Sequence, residues 1–183
     1  DIVLEASEWA RSVEATFKGA KHVKKGKKKI WEVFTNENSN LTESCKCLGA
    51  NARRFGLHNG WDFFEPSHRK KFMRMLEEDA PDEVWLSPMC GPWSSIQELN
   101  AITPEGRAKL VAKRALHHRH ILMFAADVYE YQRTHGRHAH LEHPRYARSW
   151  HTKAFRRMQG HKSHFDQCMY QLQIPGYGYL KKP

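Results

Sequence analysis

The four cysteines of this 183-residue chain, Cys45, Cys47, Cys90 and Cys168, form no C-x-x-C pair. Nothing in their spacing suggests a disulfide scaffold, which points to a reducing, intracellular compartment, nucleus or cytoplasm. No apolar run approaches the ~18 residues of a membrane span, and no signal peptide is visible. Acidic residues are also scarce, 20 against 30 lysines and arginines, for a net charge of +10. Such an excess attracts polyanions, so nucleic acid is the expected partner ahead of an anionic membrane. Hydrophobic content of 40%, with 11% aromatic residues, nevertheless excludes a disordered tail and supports one folded core. The chain starts at Asp1 and ends at Pro183, as an excised domain or processed product would.

Residues 1–20 place Leu4, Trp9, Val13 and Phe17 at helical spacing, and Lys21 to Lys29 then carries six lysines. That run reads as a solvated linker, or else as a phosphate-binding arm. From Ile30 strand-like and helix-like units alternate. Ile30–Phe34 reads as a strand. Asn40 caps a helix with Glu43 in a capping box, Leu41, Cys45 and Leu48 line its buried face, and Gly49 ends it. This reading makes Cys45 and Cys47 helix residues rather than metal ligands. Ala52–Leu57 follows as a strand, then a polar turn through Asn59-Gly60. Ser67 caps a helix carrying Phe72, Met75 and Leu76, which stops before Pro81.

Val84-Trp85-Leu86 reads as a buried strand leading into Ser87-Pro88-Met89-Cys90-Gly91-Pro92-Trp93. Thr103-Pro104-Glu105 starts a long helix, with Val111, Ala115, His118, Leu122, Ala125 and Tyr129 as its apolar stripe and Gly136 as its end. His138–Leu141 is a further strand, exiting through Glu142-His143-Pro144. A helix through Trp150–Met158 and strands near Ser163–Phe165 and Tyr177–Leu180 complete the alternation. Strand–helix repetition with helical crossovers predicts an α/β fold, a three-layer sandwich around a mainly parallel sheet.

Ligands of such a sheet sit outside the carboxyl ends of its strands. Three loop clusters are expected at that edge: Phe34 to Asn40, Ser87 to Trp93, and Glu142 to Pro144. Cys90, held between two prolines and beside a glycine, would stand at a pocket mouth. Its plain alternative is the buried small hydrophobe that a free cysteine usually becomes. A thiol and a carboxyl in one pocket suit covalent catalysis on an electron-poor ring: the thiolate adds to carbon and the acid hydrogen-bonds the ring nitrogen. For Glu142 the alternative is a salt bridge to an arginine. Trp93 either stacks on a base or packs its loop, and Arg145, Arg148, Arg156 and Arg157 either clamp phosphates or form a solvated face. Among the thirteen histidines, His117, His118 and His120 do not share a helix face as i, i+4 ligands do. No metal site is expected.

The ordered set Trp31-Glu32-Val33-Phe34, Ser87-Pro88-Met89-Cys90 and Leu141-Glu142-His143-Pro144 resembles class I methyltransferases of the cytosine carbon-5 type. Phe55-Gly56-Leu57 before Gly60-Trp61-Asp62, the Ser-Pro-x-Cys-Gly-Pro-Trp loop, and Asp166-Gln167-Cys168 before Lys181-Lys182-Pro183 resemble methyltransferase-like domains of retroelement polyproteins. The resemblance implies a Rossmann-like methyltransferase domain over residues 30–183, behind an N-terminal helix and lysine-rich linker over 1–29. Further domains of a longer polyprotein would accompany it.

It also implies roles. Phe34 would pack near the adenine of S-adenosylmethionine and Asp62 would accept a hydrogen bond from it, with Asn36, Asn38, Ser87 and Pro88 around the same cofactor. Cys90 would attack carbon 6 of a cytosine in DNA or RNA, and Glu142 would contact the ring nitrogen; the base would have to be unstacked. The chain departs from the family in four places. Thr35-Asn36-Glu37-Asn38-Ser39-Asn40 replaces the glycine-rich turn, and the second strand has no acid at its tip. Met89 replaces a proline and His143 an asparagine. The alternative reading keeps the fold without the catalysis, as a basic nucleic-acid-binding or ribonucleoprotein-assembly module. A metal-dependent nuclease lacks its acidic ligands.

Overall fold

The computed structural model describes residues 27–164, together with 173–174 and 178–179. The helix expected over 1–20 and most of the lysine run lie outside the described residues. Lys27–Lys162 form one compact unit. Its sheet has four strands, β1 (Lys29–Val33), β2 (Asn51–Phe55), β3 (Glu83–Leu86) and β4 (His138–Leu141), all parallel, in the order β2-β1-β3-β4. The connecting helices are α1 (Asn40–Cys47), α2 (Pro66–Asp79), the short α3 (Ile96–Asn100), α4 (Pro104–His117) and α5 (Met123–Thr134), with α6 (Lys153–Arg157) after β4. The fold is a three-layer α/β sandwich on a Rossmann-like sheet. Among the described residues no helix is long and apolar enough to cross a membrane.

Strand alternation builds the layers. Trp31, Val33, Val84 and Leu86 face one side, where they meet Phe72 and Leu76 of α2 and Phe124 and Val128 of α5. Glu32 faces the other side, towards α1. It is only 7% exposed, and its carboxylate accepts from the hydroxyls of Thr35, Ser39 and Thr42. A buried carboxylate must be met by donors, and this one decides how α1 sits. Thr42 turns inward, while Leu48, expected in the core, is 71% exposed. The cap is likewise Ser39, not Asn40, and its hydroxyl serves Glu32 instead of the helix. Glu43 pairs with Arg54 and closes no capping box. Gly49 ends the helix region as expected, at φ 85°.

The cap of α2 is Glu65 with Pro66 as first helical residue, two places before the expected Ser67 cap; proline suits that position because it has no N–H to leave unpaired. Thr103 caps α4 as predicted, its Oγ1 accepting from Gly106 N–H at 3.0 Å. A π turn, His118–Leu122, separates α4 from α5. It changes the phase of the buried face. Leu110 and His117 face the core in α4, whereas the expected stripe residue Val111 is 65% exposed. After the π turn the expected positions Leu122 and Ala125 are buried.

The expected Trp150–Met158 helix is split into a 3-10 turn, Arg148–His151, and α6, which Thr152 caps. Ser163 and His164 carry no strand, and Phe165 lies outside the described residues. The strand expected over Tyr177–Leu180 is the two-residue β6 (Gly178–Tyr179), paired antiparallel with β5 (Gln173–Ile174) in a ribbon of its own.

Candidate functional site

From β1 the chain steps outward to β2, then crosses back to β3 on the other side of β1. The crevice at such a reversal is where open α/β sheets hold ligands. The three loops leave this edge at one level: Phe34 N–H donates to Phe55 O (2.9 Å), Ser87 N–H to Val33 O (3.1 Å) and Glu142 N–H to Leu86 O (2.9 Å).

On the β1–β2 side the loops are tied to each other. Phe34 adopts φ 64°, a left-handed conformation that costs a non-glycine residue ~1–2 kcal/mol. Its half-buried ring packs edge-on against Phe63 and Phe124, 5.0 and 6.3 Å between centroids. Asn36 Oδ1 accepts from Asn38 N–H at 3.1 Å, so both build their own turn. Arg54, at the tip of β2, donates to Ser39 O at 2.9 Å and also reaches Glu37 O and Glu43. Asp62 Oδ1 accepts from Phe64 N–H (2.9 Å), while its own N–H donates to His68 Nδ1 (3.0 Å). Ser87 is half-buried and Pro88 buried.

These residues do not fit S-adenosylmethionine. Its ribose hydroxyls call for an acceptor at the tip of β2, and the chain places a guanidinium there, bonded across the gap.

Gly56 tightens the same closure: a Cβ there would lie 2.1 Å from Thr35 O. Gly56→Ala is therefore expected to cost about 2–3 kcal/mol, as overpacking against backbone does. A denaturant midpoint unchanged by the substitution would show that the β1 and β2 loops are not in contact.

The thiol side is open. Cys90 is half-buried at the start of the 3-10 turn Gly91–Trp93, where its carbonyl accepts from Trp93 N–H at 2.8 Å. It lines a cleft of about 620 Å³ shared with Lys113 and His117 of α4. Glu142 is exposed and does not line that cleft. The residue that turns inward is His143, hydrogen-bonded through Nε2 to Ser149 Oγ. Burial pushes His143 down to about 4, the charge of His117 adds to that, and the Pro88 carbonyl opposes it.

Trp93 is 8% exposed, and its Nε1 donates to His117 Nδ1 at 3.0 Å. The indole packs the loop and presents no open face to a base. His117 is 2% exposed and is likewise held near 4, by burial first and then by the charges of Lys113 and His118. In the sequence His117 is weighed only as a metal ligand. The missed signal was its spacing, seven residues after Leu110 and four before Ile121, which puts it on the buried face. Among the described residues no three His, Cys, Asp or Glu side chains converge as metal ligands would.

The four arginines divide. Arg148 pairs with Glu98 at 3.3 Å, a carboxylate that also holds Arg114, and Arg157 pairs with Asp127. Arg156 is exposed. Arg145 lies over the ring of Tyr146, 5.3 Å from its centroid, and that ring is 72% exposed. Tyr146 was not singled out from the sequence; a tyrosine between arginine and alanine carries no periodic signal there. No family model, no curated protein and no solved structure matches the chain.

Proposed function

We propose that this chain is a nucleic-acid-binding domain built on a Rossmann-like scaffold, which holds single-stranded DNA or RNA without methylating it. The observation that carries this reading is the Arg145–Tyr146 pair, an exposed aromatic ring under a guanidinium on a loop beside the carboxyl edge of the sheet. Aromatic faces stack on any base, and nearby cations neutralise phosphates, so affinity follows without sequence readout. The net charge of +10 supplies the attraction. The closure of the β1–β2 loops by Arg54 and the Gly56–Thr35 approach, with Asp62 committed to Phe64 N–H, supports loss of the cofactor role.

Fluorescence anisotropy with a labelled single-stranded oligonucleotide tests it. Binding is expected to weaken steeply with salt, and Tyr146→Ala to weaken it by roughly tenfold, the loss of one base stack. Salt-independent binding, or full affinity in the Arg145→Ala, Tyr146→Ala double variant, would overturn the proposal.

A second reading, thiol-dependent cytosine methylation, is favoured by one observation: Cys90 is accessible from a cleft at this edge. In that reading Cys90 attacks the base and Glu142 meets the ring nitrogen. Calorimetric titration separates the two. No heat of binding with S-adenosylmethionine at millimolar concentration is expected, and a saturable heat would establish the second reading over the first.

A further inference from the structure

The solvent side of α4 is apolar. Leu110 and His117 take the core, and the stripe residues Val111 and Ala115 turn outward. Ala108, Ala112 and Ala115 share that outer face at helical spacing, and all three are exposed. At 3.6 residues per turn they fall between Val111 on one side and Leu116 on the other. The result is a shallow trough, an alanine floor between two taller walls that are 65% and 56% exposed.

Beyond Val111 the apolar surface continues onto α3. Arg107 and Arg114, one turn to either side of Val111, reach Ala101 O (3.3 Å) and Glu98, which fixes α3 along this flank. There Leu99 and Ile102 are 72% and 74% exposed. The outer face of a surface helix is ordinarily polar, and a contiguous exposed apolar surface marks an interaction site. Beyond Leu116 the border is basic. Lys109 and Lys113 lie on that flank, Arg119 follows α4, and among the described residues no carboxylate pairs with any of the three. Glu105, in the first turn, is the exposed acid of α4.

We propose that the outer face of α4 docks an acidic amphipathic helix of a partner protein. A floor of small side chains lets the ridge of a second helix settle at the ~8 Å end of helix-packing distances. Glutamates or aspartates beside that ridge would meet Lys109 and Lys113, the complementary charge that sets partner choice. Alanines at the centre offer a bilayer little apolar area to insert. A second copy would bring two like-charged borders and two bodies of net charge +10 together. The surface is separate from the Arg145–Tyr146 pair, which follows β4.

The probe is an amidated 18-residue peptide with leucines alternately three and four apart, glutamates beside them and alanine elsewhere. A twin peptide carries lysine for every glutamate. Titrated into the full chain in ~50 mM salt, the acidic peptide is expected to saturate with Kd of roughly 10–100 μM, and its twin to bind at least ~10-fold more weakly. Amide shifts in nitrogen-15 spectra should fall within residues 96–119.

Ala112→Trp fills the trough from an exposed position and should weaken the acidic peptide by at least ~10-fold, with oligonucleotide affinity unchanged. The double variant Lys109→Glu, Lys113→Glu should reverse the preference between the two peptides. Melting temperature checks folding, and the charge reversal decides the matter if Ala112→Trp melts early. Equal binding of both peptides, no saturation by ~1 mM, or shifts confined to other elements would each overturn the proposal. So would self-association, or binding to phosphatidylserine vesicles or to an oligonucleotide, that Ala112→Trp abolishes.

Discussion

Phe72→Ala is expected to remove about 3–5 kcal/mol of stability, the usual cost of deleting a fully buried ring. Phe72 has no exposure, and five other rings surround it: Trp31 (5.4 Å between centroids), Phe55 (5.0 Å), Phe63 (5.5 Å), Phe124 (5.7 Å) and Trp61 (6.0 Å). All but one of these contacts are close to perpendicular, the geometry in which ring edges meet ring faces favourably. The cavity could not close without moving β1, β2 and α5 together, so the upper half of the range applies. Domains of this size hold only ~5–15 kcal/mol in all. Chemical denaturation measures the loss directly. A loss under ~1 kcal/mol would mean that Phe72 is not the centre of this core.

Acidification is the second large effect. His117 and His143 both sit near 4 in the folded protein, whereas in the unfolded chain each takes its proton near 6.5. Between those values the unfolded chain binds more protons than the folded one. Stability is therefore fully present above about pH 6.5, declines as pH falls, and has lost the whole contribution below about pH 4. For His117, which is almost without exposure, the loss amounts to about 3 kcal/mol, and for the less buried His143 to about 2 kcal/mol. The two rings act on each other, so the first proton makes the second harder to add.

Thermal melts across this window should show the decline, and His143→Gln should flatten it by roughly a third to a half. A melting temperature constant from about pH 7 to pH 4.5 would refute the buried, neutral state of both rings.

What the sequence revealed about the fold was local. Gly49, Thr103 and Pro104 act on backbone within one turn of themselves, so their positions as helix stop, cap and first residue were legible. The parallel sheet followed from short apolar runs separated by helices, and the shared edge of the loops followed from the sheet. Errors arose where a distant partner decided. Leu48 is exposed because Glu32, on another element, draws three hydroxyls from the α1 side. Val111 is exposed because a π turn below it alters the phase.

The same division holds at the site. A loop bearing Cys90 at a strand end could be read from residues 84–93. That Trp93 is spent on His117, twenty-four residues away, could not. Nor could the commitment of Arg54 to two carbonyls of the preceding loop and to Glu43 of α1, which turns an apparent nucleotide edge into structure.

The π turn at His118–Leu122 has a consequence for the length of the chain. It holds one residue more than an α-helical turn would, so it works as a vernier between two rigid rods. Deleting one residue there would restore a continuous α-helix and rotate α4 by ~100° relative to α5. Lys113 and His117 would then swing away from the Cys90 loop while every residue type was kept. The spacing between Thr103 and Gly136 is thus itself under constraint, independent of what occupies the exposed positions between them.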